Sequence, residues 1–498
     1  MLTQDAGLVM MALPVRRRGD AGFATTQGYL MNNTHQPGCR GVTAAGFSRP
    51  VLPSSARIRA SVRPRALLLA SALAALLGGP VGTAAVYAND TAPQVSREYR
   101  SEIEALRADP KVQAAMEHVH SLEAQSLEDL VELTEIPAPP FNETARAERF
   151  AEMLRDAGLE DVRIDGVGNV IGRRPGNSND RRVAYAAHLD TVFPEGTDVT
   201  VKVEGDKYIA PGIGDNTRGL VTVLEVLRAM EHAQLETEAE ILFIGNVGEE
   251  GLGDLRGVKH LFRNGAEKID TFIAVDGGNS DRIVYGGVGS HRYRVTFHGP
   301  GGHSWGAFGL ANPHHALGRA IALFDERAPD VTTVGDKTSY NVGRIGGGTS
   351  VNSIPFESWM EIDMRSGNQD KLDDIDAVMR AAVMEALEEE NAGRLDGPAL
   401  TVDIKRVGTR PAAMSDPDSP LVQRTMAATE SLGVTPSLQI SSTDSNLPIS
   451  IGVPAVTISR GGTSEGAHSL DEWWRNVDAH LGAQLGLLTV LSEAGLAE

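Results

Sequence analysis

Four apolar runs in this chain are each followed, directly or in the loop that comes next, by a histidine or a carboxylate, and that arrangement constrains the fold more than any other feature. The runs are Val183-Ala184-Tyr185-Ala186-Ala187 ahead of His188, Ile241-Leu242-Phe243-Ile244 ahead of Glu249, Thr271-Phe272-Ile273-Ala274-Val275 ahead of Asp276, and Ala455-Val456-Thr457-Ile458 ahead of His468. Short apolar runs bounded by turn residues read as buried strands. In an open α/β sheet, ligands bind in the crevice beyond the carboxyl ends of the strands. Polar residues that follow several strands can therefore converge although they lie far apart in the chain.

Between residues 162 and 273 strand-like runs alternate with helical segments such as 219–232, the pattern of a mostly parallel sheet with helices on both faces. Segments 96–120 and 143–157 read as entry helices. The texture changes near Gly286-Gly287-Val288-Gly289. Residues 292–297 alternate, 313–323 look helical, 358–364 alternate again, 372–390 form a long helical stretch and 400–407 a strand. This βαββαβ-like, ferredoxin-like order predicts a smaller α+β domain inserted into the larger one. The chain then returns near Pro411 to a helix at 420–432 and a strand at 453–458. The expected division is a leader at 1–88, a catalytic domain at 89–287 and 410–498, and the insertion at 288–409.

The leader is distinct in composition. Arg57, Arg59, Arg63 and Arg65 precede a stretch of Ala and Leu from Ala66 to Leu77, and Val86-Tyr87-Ala88 places small residues at the cleavage-determining positions. That reads as a secretory signal cut after Ala88, giving an exported, periplasmic or secreted protein without a stable membrane span. An uncleaved anchor is the competing reading, set against Gly78, Gly79 and Pro80. Residues 1–88 hold nine Arg and two Asp, a net of +7, so residues 89–498 carry −27 against −20 for the whole chain. Such acidity argues against nucleic acid and anionic membranes as partners. The single cysteine, Cys39, falls in the leader, so the mature chain has no disulfide or thiol chemistry.

The polar residues themselves suggest a metal site. Two imidazoles and three carboxylates suit a pair of zinc-like ions, with cobalt or manganese able to use the same donors. Asp190, two residues after His188, is placed to hold that imidazole or to orient a neighbouring ligand. Asp215 lies in Gly212-Ile213-Gly214-Asp215-Asn216, where glycines allow close backbone approach and a short carboxylate can reach two ions. Of the adjacent Glu249 and Glu250, one can ligate while the other takes a proton from water and returns it to a leaving amine. Asp276 and His468 are candidate terminal ligands, one per ion. Each residue taken alone would pass for an ordinary turn or surface residue; their shared position at strand ends is the signal.

These segments resemble the zinc-dependent exopeptidase and amidohydrolase family that includes peptidase T, carboxypeptidase G, aminoacylase and succinyl-diaminopimelate desuccinylase. The resemblance is carried by Ala187-His188-Leu189-Asp190-Thr191-Val192, Gly212-Ile213-Gly214-Asp215-Asn216, Gly248-Glu249-Glu250-Gly251, Val275-Asp276-Gly277, Gly299-Pro300-Gly301-Gly302-His303-Ser304, Gly347-Gly348-Thr349-Ser350-Val351-Asn352, Asp363-Met364-Arg365, Ser442-Thr443-Asp444-Ser445-Asn446 and Gly466-Ala467-His468, within residues 97–490.

The resemblance implies that His188 and Asp276 hold one zinc, Glu250 and His468 the other, and that Asp215 bridges them. It makes Glu249 the general base and Asp190 the support of His188. It also implies that the insertion closes over substrate or forms a homodimer, that His303 stabilises an oxyanion, and that Asn352 and Arg365 bind substrate backbone or carboxylate. A donor and a guanidinium fork are what such anions require. Members of the family with Asp at the position of Asp276 resemble di- and tripeptidases more than deacylases. The expected activity is therefore hydrolysis of short peptides, in the manner of a di- or tripeptidase or an aminopeptidase. An N-acyl amino acid deacylase is the alternative, a carboxypeptidase of the same family a further one, and a non-catalytic binding protein a remote one.

Overall fold

The structure is a computed structural model that describes residues 94–497 apart from 179, 264, 265 and 267; the expected leader, 1–88, lies outside the described residues. A mixed sheet forms the body, in the order Asp161–Ile164, Val170–Arg174, Glu240–Asn246, Arg182–His188, Thr271–Val275, Ala455–Ile458, Arg282–Gly287, Ala413–Met414, with Ser437–Ser441 also paired to Arg282–Gly287. Its four central strands run parallel: Arg182–His188 lies between Glu240–Asn246 and Thr271–Val275, and Ala455–Ile458 continues beyond the latter.

These strands are apolar along their length because both faces are covered. Tyr185, Phe243 and Ile273 face one core, while Ala184, Leu242 and Phe272 face another. The first core is filled by the helices Arg218–His232 and His480–Ala494, whose buried leucines and valines pack on the sheet and on each other. The chain passes from the strand Arg182–His188 to its neighbour on one side and then to the neighbour on the other. That is a topological switch point, where the crevice of an open α/β sheet forms.

A second sheet is antiparallel, in the order Thr338–Gly347, Glu357–Ser366, Gly289–His298, Thr401–Arg410. The strand Glu357–Ser366 alternates, burying Ser358, Met360, Ile362 and Met364 on one side. Met360, Ile362 and Met364 pack with Tyr293, Val295, Phe297, Phe324, Leu372 and Met379 in a core of their own beneath the helices Pro313–Arg327 and Gln369–Gly393. The chain enters this sheet at Gly289 and leaves it at Arg410. Among the described residues no helix is long and apolar enough to cross a membrane.

The expected entry helix over 96–120 is two helices, Arg97–Ala108 and Pro110–Ser121, because Pro110 cannot continue the first. Asp109 caps the second by accepting hydrogen bonds from the backbone N–H groups of Lys111 and Val112.

Candidate metal centre

The strand Arg182–His188 ends on His188, whose side chain is buried. Its Nδ1 lies 3.0 Å from the carbonyl oxygen of Asp190 and 3.6 Å from the Asp190 carboxylate. Donation from Nδ1 to that carbonyl leaves Nε2 as the nitrogen with the lone pair. Nε2 faces Asp215 Oδ1 at 3.3 Å.

On the other side of Asp215, its Oδ2 lies 3.3 Å from His468 Nε2, which in turn lies 2.8 Å from Glu250 Oε1. Asp215 is thus flanked by two imidazoles, and ligand atoms of His188, Asp215 and Glu250 all fall within 4.8 Å of one another. His468 is half exposed and adopts a left-handed backbone, φ 68°, a conformation that a non-glycine residue holds only when its surroundings impose it. Asp276 directly follows the strand Thr271–Val275 and lines the same cavity of about 420 Å³ as Asp215, Glu249, Glu250 and His468.

Buried carboxylates crowd the site. Burial pushes the Asp444 carboxyl up to about 7. Asp276 is raised by burial and by the charge of Asp215, and Glu249 is raised by burial against the opposing pull of Arg410. The opposite holds for the imidazoles. Asp215 and Glu250 raise His468 to about 10, and although burial favours neutral His188, Asp190 and Asp215 outweigh it and hold that ring protonated well above its usual range. Lone-pair nitrogens facing carboxylates call for a cation between them, here supplied by protons that a divalent ion would displace. The residues present therefore fit a metal centre.

Three supports escaped the sequence reading. Glu472 accepts hydrogen bonds from the backbone N–H groups of Gly212, Gly214 and Asp215 at 2.7–2.9 Å, so one carboxylate shapes the loop that presents Asp215. Arg146, fully buried, donates to the carbonyls of Leu189 and Ile136 and braces the segment after His188. Arg410 donates to Glu249 Oε1 at 2.7 Å. None of the three has a sequence spacing that marks it.

Asp190 differs in emphasis from the expectation. Its closest contact with His188 is made by its carbonyl, and its carboxylate accepts the backbone N–H groups of Glu249 and Glu250, each at 2.9 Å. It thereby fixes the turn on which both glutamates sit. Gly212 at φ 80° permits the Asp215 loop, where a Cβ would also lie 2.5 Å from Thr191 Cγ2.

Arg365 lines the cavity, with Nε bonded to Asp363 at 2.7 Å. His303 and Asn352 do not line it. They lie together at an exposed tip of the second sheet's module, where Gly302–His303 pairs with Ser353–Ile354 beside exposed Trp305, Phe308 and Val351. The backbone N–H groups of Trp305 and Gly306 point at His303 Nδ1, both at 3.2 Å, which leaves Nε2 as a donor.

Carboxylates and imidazoles converging at the ends of parallel strands, beside a cavity walled by arginines, define a metal-dependent hydrolase. Residues 184–491 match the peptidase family M20/M25/M40. The chain belongs to that family, whose members hydrolyse peptide or amide bonds with the help of metal. It is 24% identical over 353 residues to the uncharacterized protein YqjE of Bacillus subtilis, covering 68% of this chain and 91% of that one. It is 25% identical over 277 residues to succinyl-diaminopimelate desuccinylase of Corynebacterium glutamicum, covering 53% and 74%. Among solved structures, aminopeptidase PepT from Bacillus cereus shares the fold with a TM-score of 0.58 at 22% identity, covering 74% of this chain and 98% of that one.

Proposed function

We propose that this chain is an exported hydrolase that cleaves one amide bond of a short peptide using two divalent ions, zinc foremost. The observation that carries the reading is the Asp215 carboxylate set between His188 Nε2 and His468 Nε2 at 3.3 Å from each. His188 and Asp276 would hold one ion, His468 and Glu250 the other, with Asp215 shared. Held there, the ions would supply Lewis acidity to a carbonyl oxygen and a water acidified toward neutrality.

The chain's own residues account for the rest. Glu249, in the same cavity and outside the ligand set, takes a proton from water and returns it to the leaving amine. Arg365, in the lining of the same cavity, offers a guanidinium fork to a substrate carboxylate. His303 and Asn352 act when the inserted module closes on the cavity or when a second copy presents its tip, which is the basis for proposing a homodimer. Export rests on the leader's arginines, apolar stretch and Val86-Tyr87-Ala88.

The likeness to a desuccinylase keeps a second reading in view, removal of an acyl group from an amino acid. Asp at position 276 favours peptides. Turnover of Ala- and Leu-containing di- and tripeptides, measured beside N-acetyl and N-succinyl amino acids with and without chelator, decides between them. Chelator-sensitive cleavage of the peptides is expected; turnover of the acylated set alone would transfer the assignment to the deacylase.

A further inference from the structure

The Glu249 carboxylate is held by a residue 161 positions away in the chain. Arg410 and Glu249 are both buried, at 3% and 4% exposure. Arg410 Nη1 donates to Glu249 Oε1 at 2.7 Å and to Ser442 Oγ at 2.9 Å, while its Nη2 donates to the Glu249 backbone carbonyl. One guanidinium thus grips the side chain and the main chain of the same residue. Glu249 Oε2 makes no hydrogen bond among the described residues, so it is the oxygen left for proton transfer.

We propose that Arg410 is a positioning residue for hydrolysis, fixing Glu249 so that Oε2 alone faces the reacting water. The inference rests on the reading of Glu249 as base. A base oriented by a third group is a general device of catalytic constellations, and a planar fork suits a grip on two points where a lysine ammonium does not. The position supports the role. Arg410 is the last residue of the strand Thr401–Arg410, paired through its backbone with Ser290 where the small sheet joins the body. Its side chain is not needed for that strand pairing. It reaches back to the turn after Glu240–Asn246, tying the base to the crossing between the two sheets.

A purely structural ion pair is the competing account, because a buried charge left without its partner destabilises a fold whatever its role. The two accounts part in kinetics. Full-length, metal-loaded wild type, Arg410→Ala, Arg410→Lys and Glu249→Gln are compared for kcat, KM, metal content and melting temperature on the best substrate of the peptide and acyl panel. Arg410→Ala is expected to lose about a hundredfold in kcat, the scale of a misplaced general base, with KM and metal content little changed. Added guanidinium ion should restore part of that kcat in Arg410→Ala and none in Glu249→Gln, while Arg410→Lys recovers only a fraction. Wild-type kcat in Arg410→Ala, or a loss that guanidinium does not relieve in a folded, metal-loaded variant, would overturn the proposal. Melting of the double variant Arg410→Ala/Glu249→Gln is read beside that of the two single ones: non-additive losses are expected, and additive losses would show that the contact does not operate. That comparison needs no turnover, so a wild type inactive on the whole panel would count against the hydrolase reading while the contact is still judged.

Discussion

Glu472 shows how far the shape of the site rests on a side chain outside the expected ligand set. Its carboxylate gathers three backbone N–H groups of the Asp215 loop, and burial together with the charge of Asp215 pushes it up to about 7. Supports of this kind typically contribute 10- to 100-fold in metal affinity, so Glu472→Ala is expected to weaken binding by roughly that factor. A competition titration with a chromophoric chelator measures it, and unchanged affinity would mean the loop holds its shape unaided. His188, Glu250, Asp276 and His468 were legible because each comes after an apolar run, and Asp215 because it sits among glycines in Gly212-Ile213-Gly214-Asp215-Asn216. Glu472 was not: in Ser469-Leu470-Asp471-Glu472-Trp473-Trp474 it is indistinguishable from the exposed Asp471 beside it. The main service of Asp190, accepting two backbone N–H groups, was equally hidden, since no residue type at the other end encodes it.

At the scale of elements, the central strands were legible because burial on both faces writes them as unbroken apolar runs. Phe243 shows what that burial is worth. It is fully buried in the strand Glu240–Asn246 and meets Tyr185 edge-on, ring centroids 6.4 Å apart. Phe243→Ala should cost about 3–5 kcal/mol of unfolding free energy by urea titration; a loss under about 1 kcal/mol would mean the core collapses around the gap. The helix His480–Ala494 was missed for the opposite reason. It is apolar nearly all round, buried between other helices and the sheet, so it lacks the one-sided stripe by which a surface helix is recognised. The sheet of Lys202–Glu204, Lys207–Ile209, Thr463–Glu465 and Trp473–Arg475 consists of three-residue strands, too short to show alternation.

Over the described residues as a whole, the body and the smaller module, each with core packing of its own, meet at Gly289 and Arg410. The smaller one is organised around Asp376, which accepts hydrogen bonds from Tyr293 Oη at 2.8 Å, Arg380 Nε at 2.9 Å and Arg406 Nη2 at 3.2 Å, with His291 Nδ1 at 3.3 Å. Burial alone would raise this carboxyl; the contacts of His291 and Tyr293 and the charge of Arg380 outweigh it and hold it below the usual carboxylate range. A carboxyl depressed in the folded state adds stability that is fully present above the unfolded value, about 3.9, and that fades as pH falls through the folded value. The smaller module should therefore loosen in acid below about pH 4, and Asp376→Asn should cost about 1–3 kcal/mol near neutrality while flattening that acid limb. Circular dichroism melts across pH 2–7 would show it. An acid limb unchanged in Asp376→Asn would place the sensitivity elsewhere.

The central claim is that strand-end residues far apart in sequence jointly hold two ions, with Asp215 common to both. Elemental analysis of the purified wild type and of Asp215→Ala, after loading with zinc and removal of excess, tests it most directly. The account predicts two equivalents in the wild type and loss of both in the variant, because the shared carboxylate offsets charge on each ion. One equivalent or none in the wild type, or two retained without Asp215, would contradict it.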